Sequence, residues 1–254
     1  SIVGFSQSQD GKITSLESSG IRLSETNYHP TYSKTLGSPY LNKAFLHAKV
    51  GDIVQNALLR YNACYDEFEF INSKNDTLVL NNAAAFSTIT ITNPKAVYQY
   101  VNFTEKSGKF NTGYLINLYE KNGYILYKRQ KIKYYDAIPA KSSYDTSTQA
   151  RFVPLKDTFF LKKIDGEIFE LPSNKKGLLK LFPEKKTEIE IFIKQNDIDL
   201  EKEQDVIKLI GYLVLYIESF CLYIFGLTSF FPQSYALKIA NQLNKKSKLF
   251  YHVA

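Results

Sequence analysis

The chain has 254 residues, 44% hydrophobic and 22% charged, so it can bury a core and is too apolar for wholesale disorder. Its formal net charge is +7, from 32 Lys and Arg against 25 Asp and Glu. Two cysteines and three histidines exclude a disulfide scaffold, a structural zinc site built from cysteines and a histidine-rich metal centre. Trp and Met are absent, while 19 Tyr and 18 Phe raise the aromatics to 15%, a composition that favours strands. With no Met even at position 1, the chain reads as a processed product or a fragment.

The first ten residues run from small and apolar (Ser1, Ile2, Val3, Gly4, Phe5) to polar (Ser6 to Asp10). They read either as the end of a signal-peptide apolar region with its cleavage site, or as a plain apolar N-terminus. In an exported chain Cys64 and Cys221 are free to pair or to stay as thiols. Residues 6–35 are rich in Ser, Thr, Gly and Asn and without period, so 1–36 is assigned to a leader remnant and an extended arm.

From residue 37 the texture changes. Leu58–Asn62, Glu67–Phe70 and Thr77–Leu80 read as short strands, and Ser87–Thr92 alternates Thr and Ile as a half-buried strand does. In Glu67–Phe70 the alternation predicts Phe68 and Phe70 inside, with Glu67 and Glu69 on a solvated face. Tyr114–Tyr119 and Tyr124–Lys128 flank Asn122-Gly123, a hairpin turn in which both residues tolerate positive φ. Asp165-Gly166 repeats the device, and 140–150 is a Ser/Thr-rich loop. Residues 37–172 therefore form an antiparallel, β-rich body, a meander of hairpins with strands filling most of 54–171.

After Pro172 the period becomes helical. Leu178, Leu179, Leu181 and Phe182 form an apolar turn before Pro183; Ile189, Phe192 and Ile193 mark a second short helix. A third starts near Asp199 or Glu201, acidic at its N-terminus as the helix dipole prefers. The fold class is α+β: a β-rich body, short helices over 173–211 packed on or beside it, and an apolar tail over 212–254.

Within that tail, Leu209–Phe231 carries one charge, Glu218, and ends at Pro232. Its Leu, Ile, Val and Phe residues contribute roughly −4 to −8 kcal/mol on the membrane-insertion scale, against about +3 for Glu218. Gly, Ser, Thr and Tyr bring the sum near zero, so a membrane span and a wholly buried helix both fit. A helix apolar on all sides needs protein or lipid around it. Strands with two-faced alternation offer it a single inner surface, so this segment is expected to project from the body, into a bilayer or against another chain.

Gly37-Ser38-Pro39-Tyr40-Leu41-Asn42, Leu59-Arg60-Tyr61-Asn62, Ala150-Arg151-Phe152-Val153 and Phe159-Phe160-Leu161-Lys162-Lys163 together resemble exported proteins of Bacteroidota, of flavobacterial type. Lys175 to Phe182 and Asp205 to Ile210 extend that likeness, over about residues 37–212. The resemblance implies an envelope protein with a signal peptide and implies no catalytic residues. Beyond Tyr212 it stops, which leaves 213–254 as an anchor or as an extension without a folded role.

Chemistry-bearing residues are sparse. Cys64 and His47 could form a nucleophile pair only through tertiary proximity, and a buried structural cysteine is the simpler reading. Asp66, Glu67 and Glu69 offer paired carboxylates in principle. Asp197, Asp199, Glu201 and Glu203 lack the glycine and final acid of a calcium loop, and suit a helix N-terminus. There is no phosphate loop, dinucleotide fingerprint or zinc spacing, so no cofactor or metal is expected. Asn75-Asp76-Thr77 and Asn102-Phe103-Thr104 match the N-glycosylation triplet.

The one candidate binding surface interleaves cations and aromatics: Tyr127, Lys128, Arg129, Lys131, Lys133 and Tyr134, with Tyr124 and Tyr135 beside them. Such a row suits an anionic ligand, and in an exported protein an anionic glycan or lipopolysaccharide fits better than nucleic acid. An edge strand guarded by lysines has the same pattern. The expected function is a non-catalytic envelope protein, periplasmic or outer-membrane-associated, that binds or scaffolds other components. A carbohydrate- or lipid-binding module and a hydrolase with an unrecognised site are the alternatives.

Overall fold

The computed structural model describes residues 35–51, 57–71, 76–80, 87–141 and 145–224, with side chains to residue 214. The N-terminal boundary, the arm to residue 34, Asn75, the side chains of Glu218 and Cys221 and the tail beyond Ile224 lie outside what is described.

Strands β1 (Leu46–Val50), β2 (Ala57–Asn62), β3 (Glu67–Ile71) and β4 (Thr77–Val79) form one antiparallel meander. A second meander runs through β5 (Thr88–Ile91), β6 (Ala96–Thr104), β7 (Phe110–Lys121) and β8 (Tyr124–Arg129). The two join where β5 pairs with β1 rather than with β4. Strands β11 (Thr158–Lys162) and β12 (Ile168–Glu170) extend the sheet beyond β8, giving ten strands in all. Strands β9 (Ile132–Tyr135) and β10 (Arg151–Pro154) pair apart from it as a ribbon.

Local sequence explains the corners. Asn122 and Gly123 both have positive φ, 53° and 78°, the signature of a type I′ turn, whose twist matches the strands it joins. Gly166, at φ 91°, closes β11 on β12 with Gly166 N–H donating to Lys163 O at 3.0 Å. Thr148 of the predicted loop forms an isolated antiparallel bridge with Ile138.

The meander also closes on itself. Phe169 of β12 pairs with Thr104 of β6, parallel, so β6, β7, β8, β11 and β12 form a ring. Every strand of the ring sends a side chain inward: Phe103, Leu115, Ile125, Tyr127, Phe160 and Ile168 make one core. A second core, around Leu59, Phe68, Phe70, Ile89, Tyr98 and Tyr114, fills the curve of the other strands against the ribbon's Ile132 and Phe152. Strands β6 and β7 are the shared wall, because Leu115 faces the ring while Tyr114 and Ile116 face the other way.

The third core lies outside the ring. On β8 and β11, Leu126, Phe159 and Leu161 have the opposite parity to Tyr127 and Phe160, and face the helices. Helix α1 (Lys175–Leu181) starts at Asn174, whose Oδ1 accepts from Gly177 N–H at 2.8 Å, and buries Leu178 and Leu179. Pro183 ends its register, and α2 (Lys186–Asn196) follows with Ile189 fully buried. Helix α3 (Glu203–Ile224) begins later than expected, because Asp199 to Lys202 form a turn, with Asp205 Oδ2 accepting from Asp199 N–H.

Here one expectation is corrected. Leu209, Ile210, Leu213 and Val214 are buried at 3% exposure or less in this third core, against Leu126, Phe159 and Leu161. The start of the apolar segment does not project from the body, and Leu213 and Val214 have a folded role. A closed ring has an apolar inside and, on β8 and β11, an apolar outside, so the strands offer more than one inner surface. Each such side chain contributes about 1.5–3 kcal/mol of burial. Among the described residues no helix is long and apolar enough to cross a membrane.

Candidate functional site

Alternation decides where the cation–aromatic row goes. In β8, Tyr127 turns into the ring and is 1% exposed, its hydroxyl donating to Gln99 Oε1 at 2.7 Å. Burial pushes that hydroxyl's pKa up to about 12. Lys128 has the opposite parity, faces α3, and ion-pairs Glu203 at 2.5 Å and Asp157 at 3.8 Å. Arg129 returns to the ring side, between Glu105 at 3.2 Å and Asp66 at 3.5 Å, above the Phe103 ring. Tyr134 points inward, its ring 5.2 Å from that of Phe152. Tyr127, Lys128, Arg129 and Tyr134 are therefore part of the fold and do not form one surface with Lys131 and Lys133.

Lys131 and Lys133 stay outside, and the ribbon gives them new company. Its register places Tyr135 opposite Arg151 and Lys133 opposite Val153, while Leu155 N–H donates to Lys131 O. Directly paired residues share a face. Lys131, Lys133, Tyr135, Arg151, Val153 and Leu155 thus form the outer face, with Ile132, Tyr134 and Phe152 on the buried one. Lys133 Nζ and the Arg151 guanidinium lie 4.8 and 5.2 Å from the centre of the Tyr135 ring, within cation–π range. None of the three cations pairs with a described carboxylate. Tyr135 adjoins the predicted row and Arg151 lies far from it in sequence; the period-2 series Lys131, Lys133, Tyr135 is the signal for the near half.

The carboxylates go elsewhere. Glu69 is not on a solvated face: it is 4% exposed under the strap 35–45, a correction to the alternation argument. Its carboxylate accepts from Arg60 Nη2 at 2.5 Å, from the Tyr40 hydroxyl at 3.0 Å and from Asn62 Nδ2 at 3.3 Å. Arg60 is itself stacked on Tyr40 and Phe45, 3.7 and 4.4 Å from their ring centres. Burial first, then the Glu69 charge, raises the Tyr40 hydroxyl to about 12 despite Arg60. The strap is also pinned by Phe152 N–H to Leu36 O and Ala63 N–H to Pro39 O.

Asp66 sits in the left-handed region, φ 61°, and leans over Gly113 of β7. Its Oδ1 accepts from the Tyr61 hydroxyl at 2.5 Å and from Tyr114 N–H at 3.2 Å. Burial, then Asp66, pushes the Tyr61 hydroxyl well above its usual range. These networks tie the strap, both meanders and the ring together. No described buried side-chain polar atom lacks a partner.

The remaining candidates separate. Cys64 packs on the second core, and burial raises its thiol pKa, whereas His47 is exposed on β1. Asp197 is the left-handed cap of α2, Glu201 pairs with Lys156, and Glu203 opens α3. Among the described residues no group of three or more His, Cys, Asp or Glu could hold a metal ion. Asn102 Oδ1 accepts from Thr112 Oγ1 across β6 and β7 at 2.6 Å. Comparison with protein-family models, with curated proteins and with solved structures finds no match to this chain.

Proposed function

We propose that the chain is a non-catalytic, exported envelope protein, periplasmic or outer-membrane-associated, that binds an anionic glycan through the outer face of the β9–β10 ribbon. One observation carries the reading: Lys133 and Arg151 flank the Tyr135 ring, with Lys131 further along the same face, and none of the three has a described carboxylate partner, while Lys128 and Arg129 are each held by two acids. Cations left unpaired around an aromatic platform suit an anionic, ring-bearing ligand. The deeply placed carboxylates, Asp66 and Glu69, are engaged in holding the fold. The export part of the reading rests on the residue likeness over 37–212 to exported proteins of Bacteroidota.

The test is calorimetric titration of the full chain with a polyuronate and with neutral dextran. Binding to the polyuronate alone, weakened by salt and abolished in a Lys133→Glu/Arg151→Glu variant, is expected. Undiminished binding by that folded variant, or no binding to the polyuronate, overturns the proposal.

A further inference from the structure

A cleft of about 280 Å³ opens between strands β11 and β12 and the helices. Its walls are Phe159 and Leu171 from the sheet side, Leu178 from α1 and Val206, Leu209 and Ile210 from α3. Packed interiors hold few voids larger than a water molecule, and apolar cavities favour apolar guests over water. At its rim, Lys156 is held by both carboxylate oxygens of Glu201, at 2.7 and 2.8 Å. That pair is exposed, 80% and 53%, so solvent screens it and it can swing aside. Lys128 sits with Glu203 at 2.5 Å and only loosely with Asp157 at 3.8 Å.

Three carboxylates (157, 170 and 201) line the cleft with one lysine (156), which Glu201 holds. Asp157 Oδ1 accepts from Gln130 Nε2 at 3.3 Å and its Oδ2 lies 3.8 Å from Lys128, which Glu203 holds, so Asp157 keeps only a loose cation partner. Asp157 immediately precedes β11, and both it and Phe159 line the cleft. We infer that this cleft binds a small organic monocation with an apolar tail, an alkylammonium, its tail between Phe159, Leu178 and Leu209 and its ammonium at Asp157. Its site shares no residue with the ribbon, so it stands or falls separately from the glycan reading.

Hexylamine and hexanoate, equal in tail length and opposite in charge, are titrated into the full chain and followed by NMR chemical shifts. Hexylamine is expected to shift α1 and α3 resonances saturably, binding about tenfold more tightly than hexanoate, and Asp157→Asn is expected to remove that preference. A second variant, Leu178→Phe, fills the cleft and is expected to weaken hexylamine binding while its circular dichroism spectrum stays that of the folded chain. Equal binding of both probes, no binding of either, or full preference in folded Asp157→Asn overturns the inference.

Discussion

Replacing Glu69 by Ala isolates the strap network. Glu69 and Arg60 side chains are 5% and 19% exposed, so the substitution leaves a mostly buried guanidinium without its carboxylate. Removing one partner of a buried pair costs about 3–5 kcal/mol. The residual exposure of Arg60 lets water reach one edge, which argues for the lower end. Tyr40 and Asn62 also lose an acceptor, at about 1 kcal/mol for a group that stays dry. The expected loss is therefore about 3–4 kcal/mol. Urea unfolding followed by circular dichroism reads it as a midpoint about 1–2 M lower, for a slope of about 2–3 kcal/mol per molar. An Arg60→Met/Glu69→Met double variant removes both charges and is expected to cost less than Glu69→Ala alone. Faster proteolysis within 35–45 is expected in the single variant, because the strap loses its hold at Tyr40. A midpoint shift below about 0.3 M in Glu69→Ala, or a double variant as costly as the two single ones added, refutes the reasoning.

Three further outcomes follow from packing and titration. A chain ended at Gly211 loses Leu213 and Val214, 3% and 2% exposed, and is expected to be about 3–6 kcal/mol less stable; an unchanged melting temperature refutes this. In Gly113→Ala the new Cβ meets Asp66 Oδ2, so a loss of about 1–3 kcal/mol is expected in urea unfolding, and adding Asp66→Ala relieves the clash part of it. Tyr40, Tyr98 and Tyr127 have folded pKa values raised from 10.0 to about 12, chiefly by burial. The folded state keeps these protons while the unfolded chain releases them, so their stabilisation is complete below pH 10 and is lost as pH rises to 12. A urea midpoint that falls steadily across that window, with delayed phenolate absorbance, checks the sign.

What can be read from the sequence alone is local. Asn122-Gly123 specifies its turn because few residue pairs tolerate positive φ at both positions, Gly166 alone supplies the positive φ of the β11–β12 turn, and alternation in Ser87–Thr92 and the apolar run Tyr124–Tyr127 mark strands. The change of period after Pro172 and the acidic start of α3 place the helices, and with them the α+β class. Tertiary structure decides the rest, because a period of two says which residues share a face and nothing about what covers it. Glu69 alternates as a solvated residue and is buried, since a strap from residues 35–45 folds over it. Lys128 and Arg129 stand in a basic row, yet opposite parity sends each to a different set of acids. Arg151 joins Tyr135 only through the register of β9 and β10. The closure of β12 on β6 is a contact 65 positions apart (169 minus 104), without a local signature, and it turns one apolar sheet face into two. That second face, on Leu126, Phe159 and Leu161, takes the start of an apolar helix that its own sequence leaves equally suited to lipid or protein.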